Sequence, residues 1–115
     1  SAWFFCPRDE NRTCITEPFW WQLAPDLQVQ LMSITLPIKA GERFLGVAGV
    51  DLEMPDFVNT ISEFIRPLYG GNVRYYLLSS QQRLLASNDY PGRSGEYLQQ
   101  VAPEIAALLQ QESSL

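Results

Sequence analysis

The chain has 115 residues, the length of a single domain, and its 8 basic and 13 acidic residues give a formal net charge of −5. A chain with this charge lacks the basic surface of a nucleic-acid-binding protein. The absence of histidine excludes His-based catalytic triads and His-ligated metal sites. Apolar runs fall short of the roughly 20 residues that cross a bilayer, and the N-terminus lacks a signal-peptide pattern. We expect one acidic globular domain that is part of a larger protein.

Two cysteines, Cys6 and Cys14, flank a polar, turn-forming stretch that predicts a surface loop. A disulfide would close this loop and would stabilise the fold by roughly 2–3 kcal/mol. Such a bond indicates an oxidising compartment, either the periplasm or the cell exterior. The alternative is two unrelated free thiols in a cytosolic protein. The spacing is not that of a C-x-x-C redox pair, and two thiols without histidine make a poor metal site, so no metal is expected.

The first half of the chain predicts three strands. The aromatic stretch 2–5 is typical of a short strand. Apolar and polar residues alternate at the start of 27–38, which predicts a longer strand, and a turn over 39–42 leads to a returning strand over 43–52. At Met32 the apolar residues move to the opposite parity. This change indicates either a β-bulge or a strand end that is buried on both faces.

The second half predicts helices around another hairpin. An amphipathic helix over 55–66 begins with proline at its tolerated first position. The Pro- and Gly-containing segment 67–71 ends it and is a candidate boundary between two modules, or a link between two hairpins of one sheet. Strands over 72–79 and 83–87 follow, and Pro103 opens a last helix. Antiparallel hairpins combined with helices predict an α+β fold.

Asp51 is the most informative polar residue, because it ends an apolar strand. Strand parity places it on the face of Leu45 and Val47. If that face is covered, the carboxylate needs a partner, since an unpaired buried charge is costly, and a ligand ammonium group would serve. The alternative is a cap or turn residue at the start of the next segment. The residue pattern alone favours the cap.

Three consecutive aromatic residues, Phe19, Trp20 and Trp21, also allow two interpretations. They could form the wall of a small-molecule site and stack on a cation, at roughly 0.5–2 kcal/mol per contact. More commonly, such residues pack in the hydrophobic core or at a protein interface. The sequence contains neither carboxylates at catalytic spacing nor an activated nucleophile. We therefore expect neither an enzyme nor a cofactor.

Three segments together resemble the extracytoplasmic Cache sensor family: Glu17–Trp21, Val29–Ile38 and Phe44–Leu52. The second contains Ser-Ile-x-x-Pro-Ile and the third contains Gly-Val-x-Gly-Val-Asp-Leu, which mark the hairpin of these domains. Cache domains are PAS-like sensors of bacterial chemoreceptors, histidine kinases and cyclic-di-GMP enzymes. The segment from Val73 to Ser87 is similar to the strand pair that begins the membrane-proximal module of double-Cache receptors.

The resemblance implies a PAS-like antiparallel sheet flanked by helices, with a ligand pocket over the sheet. In amino-acid-binding members the aspartate at the position of Asp51 holds the ligand's amino group, and Trp20 and Trp21 match an aromatic pair. Phe19 and Ser33 complete the expected ligand-binding set. No arginine precedes the aromatic pair, which favours an amine-type ligand over an α-amino acid. The family's long N-terminal helix and transmembrane segment are also not found in this sequence.

The function implied by the resemblance is a periplasmic ligand-sensing domain of a bacterial transmembrane chemoreceptor. It would bind a small polar metabolite, amine or amino-acid-like, and signal across the membrane. In the full receptor it would form a homodimer and would reach the membrane only through flanking helices outside this sequence. The alternatives are a ligand-free interaction or dimerisation module, and the sensor domain of a histidine kinase or cyclic-di-GMP enzyme.

Overall fold

The computed structural model of the protein describes residues 2–113, and the chain forms two compact units. The first unit ends at Met54 and the second begins at Pro55. The division therefore precedes the segment 67–71, part of which forms a 3-10 helix, Leu68–Gly71, within the second unit. Antiparallel sheets combined with helices confirm the predicted α+β class.

The first unit consists of one helix and a four-stranded antiparallel sheet. Its elements are α1 (Ala2–Glu10), β1 (Cys14–Ile15), β2 (Phe19–Ala24), β3 (Leu27–Ala40) and β4 (Arg43–Glu53). Strand β3 pairs with β4 along one edge, and with β1 and β2 along the other. The predicted hairpin is thus confirmed, and Gly41 supplies the left-handed backbone of its turn with a φ of 60°.

The N-terminal strand predicted over 2–5 is wrong, because these residues belong to helix α1. Aromatic residues favour strands only when strand neighbours are available, and here tertiary contacts determine the conformation. The helix also takes up much of the predicted cysteine loop, so that Pro7 is buried rather than on a surface loop. Asn11 ends the helix with a φ of 50° and donates its backbone N–H to the Pro7 carbonyl at 3.1 Å.

The parity change at Met32 reflects burial on both faces of β3. Pairing with β4 runs without interruption from Leu31 to Ile38, and the register shifts only between Ile38 and Lys39. Leu31, Met32 and Ser33 are consecutive and are all buried. Of the two alternatives, a bulge at Met32 is therefore wrong, and a doubly buried strand is correct.

The second unit contains the other predicted helices and the second hairpin. Its elements are α2 (Met54–Ile65, which starts one residue before the unit), the 3-10 helix, β5 (Tyr76–Leu78), β6 (Leu84–Ser87), α3 (Leu98–Val101) and α4 (Pro103–Ser113). The predicted amphipathic helix, hairpin and Pro103 helix are confirmed, although the strands are shorter than expected. Leu98, Ala102 and Ala106 form its buried cluster, against which Tyr76 and Leu78 pack.

Candidate ligand-binding site

A cavity of about 640 Å³ lies in the first unit. This volume falls within the roughly 300–1,000 Å³ that is typical of small-molecule sites. The lining is mainly apolar and aromatic, and consists of Ala2, Trp3, Thr16, Phe19, Trp20, Trp21, Leu31 and Asp51. Four of the five residues expected to bind a ligand therefore border one cavity, and Asp51 is the charged residue of that lining.

The fifth expected residue, Ser33, lies directly behind the carboxylate. Ser33 and Asp51 are paired across β3 and β4, so both side chains project from the same face of the sheet. The Ser33 hydroxyl donates to Asp51 Oδ1 at 2.5 Å and is itself completely buried. Asp51 remains accessible. The carboxylate is thus oriented by a buried donor while it is open to a ligand.

Asp51 is not a helix cap, although the residue pattern alone favoured that role. It lies inside β4, which continues to Glu53 before α2 begins at Met54. Its hydrogen bond comes from the side chain of Ser33 rather than from the backbone N–H groups of the next segment. The location inside the strand therefore favours the ligand-binding interpretation.

Thr16 connects the cavity lining to the same network. Its Oγ1 accepts the backbone N–H of Ser33 at 2.8 Å, and its own N–H donates to the Ser33 carbonyl at 2.9 Å. Thr16 lies between β1 and β2, beside the part of β3 that pairs with β4 on one edge but with neither β1 nor β2 on the other. The Thr16 side chain accepts the Ser33 N–H in place of a strand carbonyl, and it also lines the cavity.

The three consecutive aromatic residues divide between the two faces of the sheet. Phe19 pairs with Leu31 and Trp21 with Val29, which places both side chains on the face of Ser33 and Asp51. Trp20 pairs with Gln30 and belongs to the opposite face, although it also borders the cavity. Trp20 and Trp21 are 62% and 54% exposed, so they are accessible surface rather than core mass.

Trp3 is a cavity residue that the sequence did not reveal. Its indole lies over Gly49, so close that a Cβ atom on Gly49 would come within 2.6 Å of Cζ2. The Thr35 methyl group would lie 3.0 Å from the same Cβ position. Trp3 therefore occupies the space that this glycine leaves. Gly49 lies two residues before Asp51, on the same face of β4.

Helix α1 is fixed in this position by a disulfide and by aromatic contacts. Cys6 in the helix is bonded to Cys14 in β1, which confirms the predicted disulfide. The ring of Phe4 packs edge-on against Phe44 of β4, with centroids 6.0 Å apart. Only the disulfide was visible in the sequence, through the cysteine spacing.

A separate polar cluster lies in the second unit. Arg74 Nε and the Tyr76 hydroxyl both donate to Asp89 Oδ2, at 2.6 Å and 2.5 Å. The bond from Arg74, followed by that from Tyr76, lowers the pKa of the Asp89 carboxyl below its usual value. The hydrogen bond that Tyr76 donates to Asp89, followed by desolvation, raises the pKa of the Tyr76 hydroxyl. We assign this cluster a structural role, because it links the start of β5 and the segment before it to the loop after β6.

Two further classes of site are not found in the described part of the chain. Among residues 2–113, no group of three or more Cys, Asp or Glu side chains is arranged to hold a metal ion. None of the helices in this range has the length and apolar character needed to cross a membrane.

Comparison with curated sequences identifies a bacterial chemoreceptor relative. No family model matches the chain. Over 111 residues it is 24% identical to the methyl-accepting chemotaxis protein TlpQ of Pseudomonas aeruginosa, an alignment that covers 96% of this chain and 15% of that protein. The chain thus spans a small part of the length of this relative.

Comparison with solved structures identifies the fold. The ligand-binding domain of the Pseudomonas fluorescens chemoreceptor CtaA, in complex with L-valine, superposes with a TM-score of 0.64 at 21% identity, covering 90% of this chain and 43% of that one. The ligand-binding domain of the P. aeruginosa chemoreceptor PctC, in complex with GABA, superposes with a TM-score of 0.57 at 24% identity, covering 90% of this chain and 43% of that one. The ligand-binding domain of PctB from the same bacterium, in complex with L-Gln, superposes with a TM-score of 0.57 at 25% identity, covering 90% of this chain and 40% of that one.

The predicted resemblance to chemoreceptor sensor domains is therefore confirmed. The sequence relative is a methyl-accepting chemotaxis protein, and the structural neighbours are ligand-binding domains of amino acid chemoreceptors. The chain has their α+β fold and spans less than half of the length of each solved domain.

Proposed function

We propose that this chain is the ligand-sensing part of a bacterial transmembrane chemoreceptor, and that it binds a small metabolite carrying an ammonium group. The observation that carries the proposal is the orientation of Asp51, a carboxylate held by the buried Ser33 hydroxyl at the edge of an aromatic cavity. The fold supports it, because domains of this fold have been solved in complex with L-valine, GABA and L-Gln.

The chemistry of the lining favours a cation. An accessible carboxylate alone gains little from an ion pair in water. Aromatic faces around it exclude solvent and attract the same positive charge, at about 0.5–2 kcal/mol per cation–π contact. Asp51 would therefore bind the ammonium group while Phe19, Trp21 and Leu31 contact the rest of the molecule.

The cellular setting belongs to the same proposal. The disulfide between Cys6 and Cys14 is consistent with an oxidising compartment, and we place this part of the receptor in the periplasm. Ligand binding would shift a two-state equilibrium that the full receptor, a homodimer anchored by flanking helices, relays across the membrane. Sedimentation of the chain with and without ligand would measure whether dimerisation depends on binding.

A thermal-stability screen of amines, amino acids and carboxylates tests the proposal. A ligand at 100 times its Kd is expected to stabilise the protein by about 2.7 kcal/mol. Asp51→Asn should abolish the stabilisation by ammonium compounds, since the amide carries no charge. Glu53→Gln is the matched control, because it neutralises the next residue on the same face of β4, and it should retain the response.

Two results would contradict the proposal. One is a screen in which no amine or amino acid stabilises the wild-type protein. The other is an Asp51→Asn variant that binds the same amines with unchanged affinity. Stabilisation by carboxylates alone would point to a ligand of the opposite charge, and would also exclude Asp51 as the group that binds an ammonium ion.

A further inference from the structure

The Cys6–Cys14 disulfide joins the two parts of the first unit that border the cavity. On the helix side, Cys6 lies in α1, which also carries the cavity residues Ala2 and Trp3. On the sheet side, Cys14 lies in β1, two residues before the cavity residue Thr16. The bond is therefore a covalent connection between the helix side and the sheet side of the cavity.

Helix α1 depends on such a connection, because its sequence makes it a weak helix. It has nine residues, fewer than the roughly 12–15 that an isolated helix needs in water. Pro7 lies inside it and has no backbone N–H to donate to the Trp3 carbonyl. The helix is therefore held by the disulfide and by contacts with the sheet, such as that of Phe4 with Phe44.

The surroundings of the two sulfur atoms suit the reduced form as well as the disulfide. Cys14 Sγ lies 3.6 Å from the Arg12 carbonyl oxygen, and Cys6 Sγ lies 3.3 Å from Glu10 Oε2. A sulfur in a disulfide carries no hydrogen, whereas a thiol is a weak donor that can use the oxygen beside it. Reduction therefore leaves the S–H group of Cys14 with an acceptor, although Cys14 is only 4% exposed.

We propose that the oxidation state of this cysteine pair controls the affinity of the cavity, so that the disulfide form binds an ammonium ligand tightly and the dithiol form binds it weakly. This inference rests on the proposed function, in which the cavity binds a ligand with an ammonium group. Reduction removes the covalent connection, so the helix leaves the sheet in a larger fraction of the molecules. The apparent Kd rises in proportion as the fraction with a closed cavity falls.

The redox step is a thiol–disulfide exchange with a small dithiol as the reductant. A thiolate of the reductant attacks Cys6 Sγ, because Cys6 is half-buried and Cys14 is buried, and the S–S bond breaks. Cys14 leaves as a thiolate and takes up a proton. The second thiol of the reductant then displaces Cys6 from the mixed disulfide, and Cys6 takes up the second proton. The protein gains two electrons and two protons, and the reductant becomes a cyclic disulfide.

Calorimetric titration with phenethylammonium tests the inference on the oxidised protein and on the protein reduced by dithiothreitol. This probe combines an ammonium group with an apolar part that suits the mainly apolar lining. We expect the reduced protein to bind it about fivefold or more weakly. Cys6→Ala/Cys14→Ala is the matched control, because it cannot form the bond. It should bind as weakly as the reduced protein, and dithiothreitol should not change its affinity.

Hydrogen–deuterium exchange separates a change in the cavity from general unfolding. On reduction we expect the amides of α1 to exchange faster while those of β3 remain protected, since only the helix loses its connection. Loss of protection in both elements would show that the disulfide supports the whole first unit, and would overturn the inference. A phenethylammonium affinity that is equal in the two oxidation states would overturn it as well.

The coupling must also act in the opposite direction, because linkage between two equilibria is reciprocal. In a buffer of reduced and oxidised dithiothreitol, saturating phenethylammonium should shift the protein towards the disulfide form by the same factor as the ratio of the two affinities. Mass spectrometry after acid quenching measures the fraction of dithiol. A redox equilibrium that does not respond to phenethylammonium would contradict the inference.

Failure of the proposed function would look different. If phenethylammonium did not bind the oxidised protein, the proposed function and the inference that depends on it would both fall. If phenethylammonium bound the oxidised wild-type protein but not Asp51→Asn, and reduction left its affinity unchanged, the proposed function would stand. Only the redox control would then be wrong.

Discussion

The Ser33 hydroxyl donates a hydrogen bond to Asp51 Oδ1 across two paired strands, from a position with 0% exposure. The bond connects a buried polar group to an accessible carboxylate. Its effect is to select one orientation of the Asp51 side chain before any ligand is present. This preorganisation reduces the entropy that binding would otherwise cost.

Ser33→Ala should lower both stability and ligand affinity. The substitution removes one hydrogen bond to a carboxylate that water can still solvate, so we expect a loss of about 1 kcal/mol in the free energy of unfolding. Chemical denaturation of Ser33→Ala, Asp51→Ala and the double variant measures the coupling between the two residues. Strict additivity of the two single losses would show that the bond does not form in solution.

Gly49→Ala should displace Trp3. The added methyl group would lie 2.6 Å from Trp3 Cζ2 and 3.0 Å from the Thr35 methyl group, and Thr35 is completely buried and cannot yield easily. Overpacking of this kind costs about 1–3 kcal/mol. Trp3→Ala in the Gly49→Ala background should relieve most of the clash, and a double variant less stable than Gly49→Ala would argue against the observed packing.

Asp51 and Trp3 show which parts of the candidate site could be predicted from the sequence and which could not. The face of Asp51 was predictable, because strand alternation fixes it by local rules. Its pairing with Ser33 depends on the register between β3 and β4, and the sequence did not predict it. Trp3 was not predictable, because its role depends on Gly49, which is distant in the chain, and because an aromatic N-terminal stretch favours a strand by propensity. Asn11 at the helix end is the one local signal for α1, and alone it is too weak to predict a helix.

The aromatic triplet illustrates a second limit. From the sequence, Phe19, Trp20 and Trp21 could form either a cavity wall or part of the core, and the resemblance favoured the wall without assigning faces. The pairing register with β3 assigns Phe19 and Trp21 to the face of Asp51 and Trp20 to the other face. Register depends on contacts between strands, and a shift by one residue would exchange the two faces.

Removal of the disulfide should destabilise the first unit and loosen the cavity wall. The bond closes a loop with a sequence separation of 8 residues, for which the loop-entropy model gives about 2–3 kcal/mol. Cys6→Ala/Cys14→Ala should therefore unfold at a lower urea concentration than the wild-type protein. A reductant should shift the wild-type midpoint towards that of the variant and leave the variant itself unchanged. Equal midpoints for the oxidised wild-type protein and the variant would contradict the prediction.

The Arg74–Asp89–Tyr76 cluster should respond to acid. Its hydrogen bonds lower the pKa of Asp89, so its contribution to stability is present above the ordinary aspartate pKa and is lost as pH falls through the lowered value. Titration of the carboxyl carbon by NMR should show the Asp89 pKa rising in both Arg74→Gln and Tyr76→Phe.

The larger rise is expected for Arg74→Gln, because the bond from Arg74 is the main cause of the shift and that from Tyr76 is the second. Asp26→Asn, an exposed turn substitution in the first unit, serves as the control and should leave the Asp89 titration unchanged. An Asp89 pKa that is the same in all four proteins would show that the cluster is open in solution.

The hydrogen bond between the Ser33 amide and the Thr16 side chain has a consequence for the rate at which that amide exchanges with solvent. Most amides in the middle of a sheet are released only when strands separate, whereas this one is released when a single side chain rotates. The Ser33 amide should therefore exchange its hydrogen for deuterium faster than the amides beside it in β3. Because Thr16 borders the cavity, occupation of the cavity should slow that exchange, so the exchange rate of one backbone amide would report whether the cavity is occupied.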